Sequence, residues 1–169
     1  MTLQQKMLAK QSKKGFTLVE LVVVIAILAI LAAIAIPAVI GIINSASNSA
    51  GASDASTMNN ACKTVYSGVK SGSITKKSKD NAGNECTWAA EEGASNSART
   101  TAAKAVTMAQ VQGYNGTSLS YEDLHYATSD HDDAHITKGT IVFWDGEGDK
   151  PTGADQQLAD TTTLGDLYD

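Results

Sequence analysis

Apolar positions crowd one end of the chain. Across residues 21–43 only Pro37 and Gly41 interrupt an otherwise apolar run. At about 1.5 Å per residue, a helix over this run measures roughly 34 Å, enough to cross a hydrocarbon core of about 30 Å. The run is apolar on every side, so it predicts a helix that needs lipid or other helices around it, not one that lays a single face on a core. Ahead of it stand Lys6, Lys10, Lys13 and Lys14 with no acid among residues 1–15. This is a membrane-targeting layout: the positive-inside rule holds the lysines in the cytoplasm and carries everything after the run to the opposite face.

Beyond the run the pattern becomes polar. Residues 44–57 hold five Ser, four Ala and one Gly, a composition shared with flexible linkers. Met58, Cys62, Val65, Tyr66 and Val69 then recur at helical spacing, which favours one helix continuing to about residue 70. Pro37, which has no amide proton, and Gly41, a poor helix former, mark the place for a kink or local melting. Residues 71–95 read as a lysine-bearing, glycine-broken surface loop. A second helix is expected over 98–111, capped by Ser97 and ended by Gly113, and Ser120-Tyr121-Glu122-Asp123 reads as a cap before a short helix. Strands are expected over 135–137 and 140–144, with Asp145-Gly146 as a turn. The predicted class is α+β: a long amino-terminal helix, its first half transmembrane, its second half packed on a small, mainly antiparallel sheet headgroup with additional short helices.

Composition narrows the function. A chain of 169 residues with a formal charge of -5 holds one modest domain plus an appended segment and excludes a large multidomain enzyme. Residues 91–169 carry 14 acids against 4 bases, which argues against nucleic-acid binding. There is no nucleophile with an evident base, no phosphate-cradling glycine loop and no convincing pair of catalytic acids, so neither catalysis nor a cofactor is expected. Cys62 and Cys86 both fall outside the membrane on this topology. Two readings stand for them: a disulfide closing a loop of about 24 residues, or a buried Cys62 on the helical stripe with a free Cys86. His131 and His135 have a His-x-x-x-His spacing among Asp130, Asp132 and Asp133, a permissive pattern that reads as a solvated loop. Asp145, Glu147 and Asp149 repeat the alternating acids of a calcium loop. Lys150, however, stands where that loop needs glycine, and no later Glu completes it, so no metal is expected.

Glu20 is harder to explain. A cleaved secretory signal is one reading of the apolar run, helped by the small-x-small Ala33-Ile34-Ala35 but opposed by the run's length. A permanent single-span anchor is another, and a buried soluble helix is opposed by the small remainder of the chain. None of the three gives a reason for a carboxylate at the lip of the run, where insertion of an acid costs about 2.5 to 3.5 kcal/mol. Residues 21–43 contain no base, and Lys13 and Lys14 lie on a flank that can be removed. The expectation is a partner on another molecule.

The residues Lys13-Lys14-Gly15-Phe16-Thr17-Leu18-Val19-Glu20 closely resemble the processing motif of type IV pilins and pseudopilins. With the basic leader, the apolar run and Pro37, the resemblance covers residues 1 to about 43 and fades beyond. It implies that a prepilin peptidase cuts between Gly15 and Phe16 and methylates the new Phe16 amine, after a basic leader of residues 1–15. Residues 16–43 would form the transmembrane and filament-core helix, 44–70 its amphipathic continuation and 71–169 an extracytoplasmic headgroup. The resemblance further implies a hinge at Pro37 and Gly41 and a homo-oligomeric helical filament at the cell surface for adhesion, motility or aggregation; between neighbours staggered by about one helical turn, the Phe16 amine of one chain would come level with Glu20 of another, a pairing expected to set register. Its partners would be the membrane before assembly, then a membrane assembly platform with its ATPase. Removing four lysines takes the formal balance from -5 to -9. The alternatives are a pseudopilin of a type II secretion or DNA-uptake machine and a monomeric single-span surface protein.

Overall fold

The computed structural model describes residues 15–169. The chain divides into two compact units, Met1–Ala46 and Ser47–Asp169. Helix α1, Leu18–Ser71, begins in the first and ends in the second. It runs through Pro37 and Gly41 without losing helical structure, so the local melting expected there is absent. The physical reason is cooperativity: long helical stretches are already nucleated on both sides, and one missing amide bond does not open them.

In the second unit α1 is a packing spine. Gly51, Ala55, Met58, Cys62, Val65 and Val69 are buried, in alternating steps of four and three residues that lay one seam along the helix. The Ser- and Ala-rich stretch is therefore helix, not linker. Gly51 shows why a small residue is needed: a Cβ there would lie 2.1 Å from Cδ2 of Phe143. The helix ends at Gly72, whose φ of 83° is left-handed and whose N–H donates to the Val69 carbonyl, while Ile74 N–H donates to the Gly68 carbonyl. The loop that follows is less superficial than its polarity suggests, since Ile74, Cys86, Ala89 and Ala90 are buried in it. Lys76–Glu91 and Lys77–Glu92 ion pairs, each 2.9 Å, tie its two limbs together at the surface.

The expected second helix is two helices. Helix α2, Asn96–Ala105, is capped by Ser95, not Ser97, with the Ser95 hydroxyl accepting from Ala98 N–H. Helix α3, Met108–Asn115, starts at a capping box in which Thr107 and Gln110 bond each other reciprocally, and it ends at Gly116 in the left-handed region, not at Gly113. Val106 and Thr107 are extended because the carboxyl-terminal segment bonds to them: Leu164 N–H donates to the Val106 carbonyl at 2.8 Å, and Thr107 bridges Thr163.

The sheet has three antiparallel strands in the order β2-β1-β3: β1 Leu124–Tyr126, β2 Ile141–Phe143 and β3 Gln156–Gln157. Residues 120–123 lead into β1 through a turn, not into a helix, because Leu124 and Tyr126 alternate inward around His125. Of the two expected strands, the second is β2. Residues 135–137 contribute only an isolated bridge from Ile136 to His131. Asp145-Gly146 does not turn the chain into a hairpin; Asp145 Oδ1 accepts from Glu147 N–H in a local turn. A final helix, α4 Leu164–Tyr168, sets Leu164 and Leu167 in the core with Val106, Met108 and Val111. On β2, the Asn59 amide of α1 holds both backbone groups of Ile141, donating to its carbonyl at 2.7 Å and accepting from its N–H at 2.9 Å. This side chain closes the outer edge of β2 as a neighbouring strand would.

Candidate functional site

The amino-terminal motif is built from the start of α1. Thr17 precedes the helix and Glu20 lies in its first turn. Thr17 N–H and hydroxyl both donate to Glu20 Oε2, at 2.9 and 2.7 Å, and Glu20 N–H donates back to the Thr17 hydroxyl at 3.2 Å. This is a capping box, and it gives the carboxylate a partner within its own chain where the sequence reading looked only to another molecule. The signal was present as Thr-x-x-Glu before an apolar run. A carboxylate in the first turn also meets the positive end of the helix dipole. It has about four lone-pair sites, so the two Thr17 bonds leave capacity for a cation.

Phe16 is 88% exposed, and every residue from Leu18 to Ala50 is exposed as well. Among the described residues, none covers the first part of α1. It is long and apolar enough to cross a membrane, with a mean hydropathy of 3.1 and only Glu20 as a charge ahead of Asp54. Gly15 has open space around its α-carbon. Lys6, Lys10, Lys13 and Lys14 lie outside the described residues.

The other candidates are dispersed. Cys62 and Cys86 are both free and buried, so the disulfide reading is not realised in this structure. Cys62 instead faces the Met108 sulfur at 3.6 Å on the packed seam, and burial pushes its thiol up to about 12. The Cys86 thiol is also raised, by burial and then by the nearby Asp80 carboxylate. His131 pairs with Asp155 at 2.9 Å, while His135 sits in the left-handed region at φ 53° after a short 3-10 turn, Asp132–Ala134. The helical spacing that would align the two imidazoles is therefore broken. Asp145, Glu147 and Asp149 are exposed, and among the described residues no group of three or more His, Cys, Asp or Glu side chains gathers to hold a metal.

Asp155 was not foreseen as an organising residue. Its carboxylate accepts from Thr128 N–H at 2.8 Å as well as bonding His131, and these contacts, His131 first, hold its pKa below the usual carboxylate range. No short-range sequence signal marks it, because its partners lie 24 and 27 positions away.

Among known proteins, the family model for the prokaryotic N-terminal methylation motif matches residues 10–36. No curated protein and no solved structure matches the chain. The matched segment contains the whole Thr17–Glu20 cap and most of the uncovered apolar helix, whose length and composition are consistent with membrane anchoring. The methylation motif is the one that type IV pilins and pseudopilins carry, and a long apolar amino-terminal helix followed by a small antiparallel sheet agrees with their α+β fold.

Proposed function

We propose that this protein is a type IV pilus subunit: stored in the membrane, cut between Gly15 and Phe16, methylated on the Phe16 amine and polymerised through α1 into a surface filament for adhesion, motility or aggregation. Residues 1–15 are the leader, 16–43 the filament-core helix, 44–70 its continuation and 71–169 the headgroup outside the cytoplasmic membrane. The peptidase, the assembly platform with its ATPase and other copies of the chain are the partners this reading requires.

The observation that carries the proposal is the uncovered apolar part of α1. Outside lipid such a helix needs other helices around it. Each 1,000 Å² or so of apolar surface covered contributes about 25 kcal/mol gross, before the ordering costs of association. Ala26, Ala29, Ala32, Ala33 and Ala35 allow close approach between neighbouring helices.

Cleavage sharpens the role of Glu20. The new Phe16 amine stays cationic after methylation and stands beside the positive end of α1, an unfavourable place for a cation. Glu20 of a neighbour displaced by about one helical turn, roughly 5.4 Å, meets that amine and offsets the penalty. The Thr17 cap presents the carboxylate for this contact.

The test combines mass spectrometry of sheared cell-surface material with the Glu20→Ala variant. Expected are filaments whose subunit begins at methylated Phe16, and a variant that is still cut after Gly15 but assembles few or no filaments. Normal piliation by Glu20→Ala removes the register role. Recovery of only uncut, single chains from the membrane removes the filament reading.

A further inference from the structure

A cleft in the second unit lies between the end of α2, the start of α4 and the loop before β2. Its volume is about 660 Å³, and it is broadly open to solvent. Two ammonium groups, those of Lys104 and Lys138, converge in it. Both are engaged by one residue: Lys104 Nζ pairs with the Asp169 side chain, and Lys138 Nζ donates to the Asp169 main-chain carbonyl at 2.6 Å. Asp169 is exposed and follows the five-residue helix α4. In an otherwise acidic half of the chain, two of only four bases meet at this single carboxylate-bearing residue.

The rest of the lining is mainly polar: the Gln156 side chain is exposed, and the Thr101, Thr128 and Thr163 hydroxyls, which donate to the Ser97 carbonyl, Asp155 and Asp166, keep acceptor capacity. Such a wall suits a polyhydroxylated ligand more than an apolar one. Asp166 also lines the cleft, but its carboxylate is already taken by Thr163 N–H and hydroxyl at 2.7 and 2.8 Å. With Asp169 swung out, the cleft presents two cations against one occupied carboxylate, and the Lys104 and Lys138 ammonium groups lose their partner.

We propose that this cleft binds an acidic saccharide, a sugar unit whose carboxylate takes the place of Asp169 between Lys104 and Lys138 while its hydroxyls donate to the threonine oxygens and bond the Gln156 amide. Asp169 acts as a built-in competitor. Exposed ion pairs of this kind are weak, so the exchange is easy. Flexible lysine stems let the ammonium groups follow a ligand carboxylate without moving the backbone. This inference does not depend on filament assembly, since the cleft lies within one chain.

The experiment is a titration of the full chain in detergent micelles with trigalacturonate, followed by calorimetry, with the neutral trigalactoside as control. The expected result is salt-sensitive binding of trigalacturonate only. Asp169→Asn tightens it by about threefold to tenfold, and a Lys104→Met, Lys138→Met double variant, which keeps the apolar stems, weakens it by at least about tenfold. Circular dichroism checks that each variant is folded. Equal binding of the neutral sugar, no binding by either wild type or Asp169→Asn, or unchanged binding by the double variant overturns the proposal. Binding of an aspartate-rich peptide without the saccharide also overturns it and assigns the lysine pair to a protein partner.

Discussion

The two parts of α1 are made from the same kind of secondary structure and do opposite things. From Leu18 to Ala50 its apolar side chains are all exposed; from Gly51 to Val69 a single seam is buried and the remainder is polar. A helix with one apolar stripe finds its cover within the chain, whereas a helix apolar on all sides must find it elsewhere. The difference teaches that the folding of the second unit does not depend on cover for the first part of α1. On the proposed function, changes in residues 21–43 are expected to act on membrane insertion and association, and changes along the seam on the stability of the second unit.

Paired substitutions give the strongest test of that separation. Met58→Ala, which empties a fully buried position, is expected to cost about 2 to 5 kcal/mol in chemical denaturation of the second unit. Leu28→Ala, at a position 57% exposed, is expected to leave that transition unmoved. A comparable loss from Leu28→Ala in the monomeric, detergent-bound chain would break the comparison. Next in size is Asn59→Leu, which leaves the Ile141 N–H and carbonyl without their side-chain partner. A loss of about 1 to 3 kcal/mol is expected, with faster hydrogen exchange at Ile141 as its local signature.

Gly51→Leu places a side chain where the Phe143 ring lies and is expected to destabilise by about 1 to 3 kcal/mol; Gly41→Leu, which meets nothing, provides the contrast. Differential scanning calorimetry on both variants would show whether residue 51 already belongs to the packed unit.

The smallest effect expected is with pH. The Asp155 pKa is lowered in the folded state, so the unfolded chain takes up the proton first as pH falls. Its stabilising contribution is present above the ordinary carboxylate pKa of about 3.9 and is lost as pH drops through the lower folded value. Asp155→Asn should therefore lower the melting temperature near neutral pH, where the His131 and Thr128 contacts to the carboxylate contribute, and converge on the wild type in acid, flattening part of the acid-side fall. An acid-side profile identical to the wild type would remove Asp155 from that role.

Much of the amino-terminal region was legible because its signals are local. The length of the apolar run, the lysines ahead of it, and the spacing of Gly15, Phe16 and Glu20 need no knowledge of the rest of the chain, and the helical period of Met58, Cys62, Val65 and Val69 pointed to the packed seam. The Thr17–Glu20 cap was equally local and is read from the same few residues. Errors gathered where distant segments compete with local preference. Residues 98–111 have the composition of one helix, yet Val106 and Thr107 are drawn out by Leu164 and Thr163. Residues 120–123 resemble a cap, yet β1 follows because β2 and β3 supply its hydrogen bonds.

The sequence by itself determined an uncovered amino-terminal helix, a processing-type motif at its start and a spine with one apolar stripe, since hydrophobic period and charge order act over a few neighbouring residues. Only the tertiary structure decided which strands exist, where the second helix breaks, that Cys62 meets Met108, and that Lys104 and Lys138 share Asp169. Those outcomes depend on pairings across long stretches of chain, from 31 positions for Lys138 and Asp169 to 82 for Asn59 and Ile141. Such contacts form only when the whole core closes, and no local propensity encodes them.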